Sequence, residues 1–227
     1  MSNNALRKLA LSALLPACAA WAMAVAVPAT AAEQLVMPDD KLLADYYFNA
    51  MELPPGMELE TRLDTDLNAD GLADIAFVAR NDESRVLGVL FGFVEEMDMG
   101  HSPAGKAELT IDALAPASLS APKGMLVVDD LTGGTTAISS TYRYRYEAKS
   151  KRMRLIGDDV KLYSRTNAHG WQEISTNRLT GLQIRRSADL DDAGEYVDKP
   201  ETRGKVPTTP LYMEDAPAPE TTLGWDQ

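Results

Sequence analysis

The sequence predicts a mainly β protein: an antiparallel sheet or sandwich-like domain with one short N-terminal helix and a disordered C-terminal tail. Three observations lead there. Between residues 73 and 186 apolar side chains alternate with polar ones or form short runs, the period of strands. Turn-forming clusters interrupt these runs roughly every 8 to 12 residues, as in antiparallel all-β domains. From residue 199 onward the pattern dissolves into prolines and acidic residues with few apolar side chains.

The domain plan follows. Residues 1–32 read as a secretory signal peptide: Arg7 and Lys8 are its basic start, residues 9–27 are apolar apart from Ser12, and Ala31 or Ala32 ends the small-residue cleavage site. The alternatives are a retained anchor, which Pro16 and Pro28 interrupt, and lipidation at Cys18. Cys18 is the only cysteine, so the mature chain has no disulfide and no thiolate chemistry. Residues 33–198 form a single β-rich domain, and 199–227 the acidic, proline-rich tail. The expected location is periplasmic or secreted, in a bacterium, with no membrane span after signal cleavage.

Taken in order, Asp39 is a candidate helix cap, and Leu42, Leu43, Tyr46, Tyr47 and Ala50 recur at helical spacing. Pro54-Pro55-Gly56 ends that helix and opens a connection into an acidic loop. Residues 73–80 and 85–94 form the strongest hairpin, with residues 81–84 as its turn. Residues 95–106 hold Gly, Pro and polar side chains and are expected to be loop, with a short strand at 107–111. Further strands are expected at 123–129, 136–147, 152–156, 159–165, 171–176 and 178–186. Trp225 stands alone in the tail, either docked or exposed.

The acidic loop is the sharpest motif. Asp64, Asp66, Asn68 and Asp70 fall at alternate positions, followed by Gly71, Leu72 and Asp74. Alternate oxygens converging on one point suit a hard cation. Asp66, Asn68 and Asp70, with the Leu72 carbonyl, Asp74 and Asp64, are candidate Ca²⁺ ligands. Gly71 permits the positive φ of a sharp turn. An EF-hand is excluded, because its twelfth position, counted from Asp66, is Phe77. The competing reading is an Asx-rich turn satisfied by its own amides. Asp189–Gly194 is a degenerate echo and reads as a solvated acidic turn.

The D-x-N-x-D-G-x-x-D pattern resembles the calcium loops of FG-GAP and VCBS-type repeats. One copy cannot build a propeller, since each blade needs neighbours. That loop, Gly133-Gly134, the tyrosines at 142, 144 and 146, Leu155-Ile156-Gly157 and Ser175–Gly181 together are similar to uncharacterised exported bacterial proteins, over roughly residues 60 to 185. The resemblance implies an exported β fold and brings no activity.

With 22 basic residues, two of them in the leader, against 34 acidic ones, the chain is a poor partner for nucleic acid or anionic membranes and a good one for divalent cations. Tyr142, Tyr144 and Tyr146 share one strand face: an aromatic stripe for sugars beside Trp171, or core packing, which the composition favours. His101 and His169 lack the context of a catalytic zinc site, and no nucleophile elbow, P-loop or dinucleotide fingerprint is present. Asn177 and Thr180 read as turn formers. The expected function is an exported, calcium-stabilised β domain of the cell envelope with no evident catalysis, an interaction or structural module that meets another envelope protein. The alternative is a glycan-binding or glycan-hydrolysing protein.

Overall fold

The structure, a computed structural model, describes residues 40–225. The signal peptide, the Cys18 alternative and the Asp39 cap lie outside the described residues. A helix, α1 (Asp40–Ala50), precedes four strands: β1 (Glu58–Thr65), β2 (Asp74–Arg80), β3 (Arg85–Val94) and β4 (Met99–Glu108). Then come β5 (Ser118–Ser120), β6 (Met125–Gly133), β7 (Thr136–Glu147), β8 (Arg152–Ser164), β9 (Trp171–Asn177) and β10 (Leu182–Leu190). The chain ends with β11 (Tyr196–Asp198), β12 (Thr202–Lys205), β13 (Leu211–Tyr212) and a short helix, α2 (Pro219–Leu223). The fold is mainly β, as expected, and its strand pairs are antiparallel. One sheet has the order β1-β2-β3-β4; the other runs β11-β10-β9-β8-β7-β6-β5, with β12 on β10 and β13 on β8.

Strand alternation sorts the first sheet between two cores. Ala76, Val78, Leu87 and Val89 face the second sheet and pack with Leu126, Val128, Tyr142, Tyr144, Met153 and Leu155. Ile75, Phe77, Ala79, Val86 and Leu90 face α1. A strand buried on both faces reads as a continuous apolar run, which is why Ile75 to Ala79 shows no alternation. Gly88 lies opposite Phe77, and a Cβ there would stand 2.5 Å from the Phe77 ring, so glycine makes room for it. On α1 and the turn that follows it the buried positions are Ala44, Tyr47, Phe48 and Met51, an i, i+3, i+4, i+7 set. The face is thus rotated from the expected one: Tyr46 is exposed, and its hydroxyl accepts the His101 N–H at 2.9 Å.

The 73–94 hairpin and the strand at 136–147 match expectation. Four segments do not. Residues 58–65, expected to be connection, form β1; its polar sequence ELETRLDT hides a strand that its pairing to β2 supports. Residues 99–106, expected to be loop, belong to β4, an edge strand where Pro103 is tolerated because a register shift at Val89/Leu90 accommodates it. The two strands expected at 152–156 and 159–165 are one, β8. A bulge opposite Arg143/Tyr144 lets the inward set change from Met153 and Leu155 to Asp158 and Val160. The strand expected from 178 begins at Leu182, after a turn in which Asn177 Oδ1 accepts the Leu179 and Thr180 N–H groups.

The tail agrees with expectation in having no core of its own: residues 191–205 are exposed throughout. It differs in not being free: β12 pairs with β10, and the residues beyond it are anchored too. Leu211 and Tyr212 pair with Leu155 and Arg154. Tyr212 donates to Glu147 at 2.8 Å and lies under the Arg152 guanidinium, 3.9 Å from its ring centroid. Met213 is fully buried between the sheets, and the Tyr142 hydroxyl donates to the Pro217 carbonyl at 2.7 Å. Leu223 joins Ile138, Val160 and Ile174. A few anchors in a polar stretch escape a composition-based reading. Trp225 is 53% exposed.

A charged cluster crosses between the sheets. The Arg85 side chain is fully buried, beside Glu60 at 4% and Asp130 at 5% exposure. Its Nε donates to Glu60 Oε2 at 2.8 Å and its Nη2 to Glu60 Oε1 at 2.7 Å. Nη1 and Nη2 donate to the two Asp130 oxygens at 2.8 and 2.9 Å, and Nη1 also to the Thr110 carbonyl at 3.1 Å. The Ala117 N–H donates to Glu60 Oε1 at 2.7 Å. Burial opposes the charge on Glu60, but Arg85 and the Ala117 amide outweigh it and hold the carboxyl below its ordinary value. Burial likewise opposes the Arg85 charge, and its two carboxylate partners raise its pKa above the usual guanidinium value.

Arg85→Ala strands two buried carboxylates and is expected to cost ~3–5 kcal/mol in urea unfolding. Replacing all three groups by apolar ones (Glu60→Leu, Arg85→Met, Asp130→Leu) is expected to recover most of that loss. Because the folded pKa of Glu60 is depressed, its stabilisation is present above the unfolded value of about 4.3. It is lost as pH falls through the lower folded value. The acid-induced fall in stability is therefore expected to be smaller in the triple variant than in the wild type, measured by urea unfolding across that range.

Candidate functional site

The acidic loop joins β1 to β2 at a hairpin tip, and its oxygens meet its own amides. Asp66 accepts the Ala69 N–H at 2.7 Å and the Gly71 N–H at 3.0 Å, one on each oxygen. Asn68 Oδ1 accepts the Asp70 N–H at 2.9 Å, and its Nδ2 donates to Asp70 Oδ2 at 2.8 Å. Asp70 Oδ1 accepts the Leu72 N–H at 2.8 Å. Gly71 takes the expected positive φ, +87°. These are Asx turns, the competing reading of the motif.

The structure brings Asp66, Asn68, Asp70 and Leu72 into one turn and engages the other two candidates elsewhere. Asp64 accepts from Arg62 Nε at 2.8 Å. Asp74 is completely buried and turned inward. One of its oxygens accepts the Leu67 and Asn68 N–H groups, at 2.7 and 3.2 Å, and the other accepts that of Gly92, at 3.0 Å. Burial pushes the Asp74 carboxyl above its ordinary value, against the pull of the three amides. Asp74 thus ties the loop to β3. The donors that fit a hard cation are Asp66, Asn68 and Asp70, a set of the oxygen type that Ca²⁺ takes. Among the described residues no three His, Cys, Asp or Glu side chains form a grouped metal centre. The echo at 189–194 is a solvated turn, with Asp191 accepting the Ala193 and Glu195 N–H groups at 2.9 Å each.

The tyrosine stripe goes to the core. Tyr142 and Tyr144 are buried between the sheets, their rings stacked at 6.3 Å, and burial raises both phenol pKa values. Tyr146 meets Phe91 edge-on at 5.0 Å. The two tyrosines, Met213 and residues 216–219 of the tail line a cavity of about 730 Å³. His169 lies against Thr136 (2.8 Å) and the Gly170 carbonyl (2.6 Å).

A second aromatic set lies on the opposite face of the larger sheet. On β7 and β8 the even positions Ile138, Ser140, Val160 and Leu162 point inward, so Ser139, Lys161 and Tyr163 point to solvent. With Trp171 on β9 and Tyr196 on β11 they line an open depression of about 480 Å³. The Lys161 ammonium stands 4.9 Å from the Trp171 ring centroid, and the Tyr196 hydroxyl donates to Asn167 Oδ1 at 2.8 Å. Trp171 was readable in the sequence as a stacking candidate. Tyr163 and Tyr196 were not, because only the register of four strands brings them beside it.

Comparison of the chain with protein-family models, curated proteins and solved structures gave no match. The reading of function therefore rests on the geometry itself. For Asp74, Asn in its place puts an amide N–H against a backbone N–H and leaves one donor unsatisfied. Asp74→Asn is expected to lose ~1–3 kcal/mol of unfolding free energy. Hydrogen exchange at Leu67, Asn68 and Gly92 is expected to accelerate ahead of the rest of the sheet.

Proposed function

We propose that the chain is an exported, non-catalytic binding module of the cell envelope whose ligand is a glycan. The observation that carries this reading is the aromatic depression on the outer face of the nine-stranded sheet. Aromatic faces stack on the apolar faces of sugar rings, and amphipathic rims supply the donors and acceptors that sugar hydroxyls need. Trp171, Tyr163 and Tyr196 provide the faces; Lys161, Ser139 and the tyrosine hydroxyls provide the rim. The buried charges serve the fold. Arg85 with Glu60 and Asp130, Arg178 with Asp158 at 2.9 Å, and Asp74 with its amides all hold strands in place.

Glycan-array screening followed by calorimetry tests the proposal. Trp171→Ala is expected to weaken the best ligand by ~2 kcal/mol or more, about thirty-fold in Kd. Unchanged affinity in that variant, or no ligand in a broad panel, overturns it.

Calcium belongs to the same proposal as a stabiliser. Asp66, Asn68 and Asp70 would hold the ion at the β1–β2 tip. Binding to the folded state alone raises the melting temperature with free Ca²⁺. The wild type is expected to melt higher in millimolar Ca²⁺ than in EDTA, and Asp70→Ala to lose the difference. A wild-type melt indifferent to both removes calcium from the reading and leaves the aromatic surface untouched.

A further inference from the structure

The tip of the β3–β4 hairpin carries chemistry that glycan binding does not use. Met97 and Met99 are 96% and 76% exposed. Among the other described methionines, Met51, Met57, Met153 and Met213 are all 8% exposed or less, and Met125 is half-buried. Methionine ordinarily fills core gaps, and leaving one in water forgoes the favourable transfer of its apolar surface. Two together on one tip therefore call for a partner.

His101 follows at the same spacing, giving Met-Asp-Met-Gly-His over residues 97–101. In the ladder Met99 lies opposite Val94 and His101 opposite Gly92, so both stand on the sheet face that α1 covers. There the His101 ring packs edge-on against Tyr46 and Tyr47, with centroids 6.1 and 6.4 Å away. Met97 sits in the turn that Glu95 N–H closes on the Asp98 carbonyl at 2.7 Å. Met99 and His101, two apart on β4, lie about 7 Å apart, a span that flexible side chains bridge to a common ion, and Met97 stands two residues before them in the turn.

Two thioether sulfurs and an imidazole nitrogen make a soft donor set. Thioethers select Cu(I), imidazole accepts it, and calcium and magnesium prefer oxygen. Glu95, Glu96 and Asp98 add negative charge around the tip, which draws a cation in without supplying soft donors. We propose that Met97, Met99 and His101 form a surface site for Cu(I), separate from the acidic loop and from the aromatic depression.

The test is anaerobic titration of the full chain with Cu(I) against the chromogenic chelator bicinchoninate. One equivalent is expected to move to the wild-type protein. The double variant M97L/M99L keeps the apolar bulk and is expected to lose at least ten-fold in affinity, with an unchanged melting temperature. His101→Gln is expected to lose a similar factor. Ag(I), a redox-silent surrogate, is expected to shift the Met97 and Met99 methyl resonances and leave those of Met153 and Met213 in place. Retention of all Cu(I) by the chelator overturns the proposal. So does equal binding by wild type and M97L/M99L, or preference for Zn²⁺ over Cu(I).

Discussion

Arg85 is fully enclosed where the two sheets meet, and all five of its N–H donors are engaged by Glu60, Asp130 and the Thr110 carbonyl. Apolar contact between sheets is non-directional; it sets how much surface is buried and says little about which register buries it. A planar fork held between two carboxylates is directional. Glu60 comes from β1, Arg85 from β3 and Asp130 from β6, so the cluster fixes the four-stranded sheet on the larger one at one point. The bulge at Leu59/Thr61 gives β1 the local turn that brings Glu60 into reach. Amides of Ala117 and Leu131 bind the same carboxylates and draw the 110–117 connection onto the cluster.

The interior carries its other buried carboxylates by two different solutions. Asp158 enters the core because β8 changes parity at its bulge, and Arg178 reaches it from the following turn. Asp74 uses no cation and relies on three backbone amides. In each case the charge is saturated by groups that also set a strand's position. The larger sheet is wide enough that one face serves the core while the other presents side chains to solvent. Lys161, Tyr163 and Trp171 occupy that second face because strand periodicity gives them no inward position.

Much of this was legible in sequence where local signals agree with the fold. The β2–β3 hairpin was readable because its apolar runs flank a turn in which Asn81 accepts the Glu83 and Ser84 N–H groups. β7 was readable from its Thr, Tyr and Ile alternation. β1 and β4 were not, since both are edge strands, where polar residues and Pro103 are tolerated. The bulge in β8 was read as a break because Gly157-Asp158 looks like a turn, and only the register on β7 shows the strand continuing. Arg85 carried no local sign of its role, because its partners are 25 residues before it and 45 after it. Of the six proposed metal ligands, the motif correctly grouped the ones inside a single turn. Asp74 already fell inside the strand expected over 73–80, but the motif could not show that its carboxylate faces inward onto backbone amides.

That division of labour changes what the acidic loop does. Asp74 sets where β2 begins, through bonds to Leu67, Asn68 and Gly92 that involve no ion. Asp66, Asn68 and Asp70 already close the turn on its amides. A cation drawn to these three side chains has to share or displace Asx bonds that are already made. Its net contribution is then the difference between two closed turns, smaller than the sum of its own contacts. The register of the sheet behind the loop is secured by Asp74 and, across the sandwich, by Arg85.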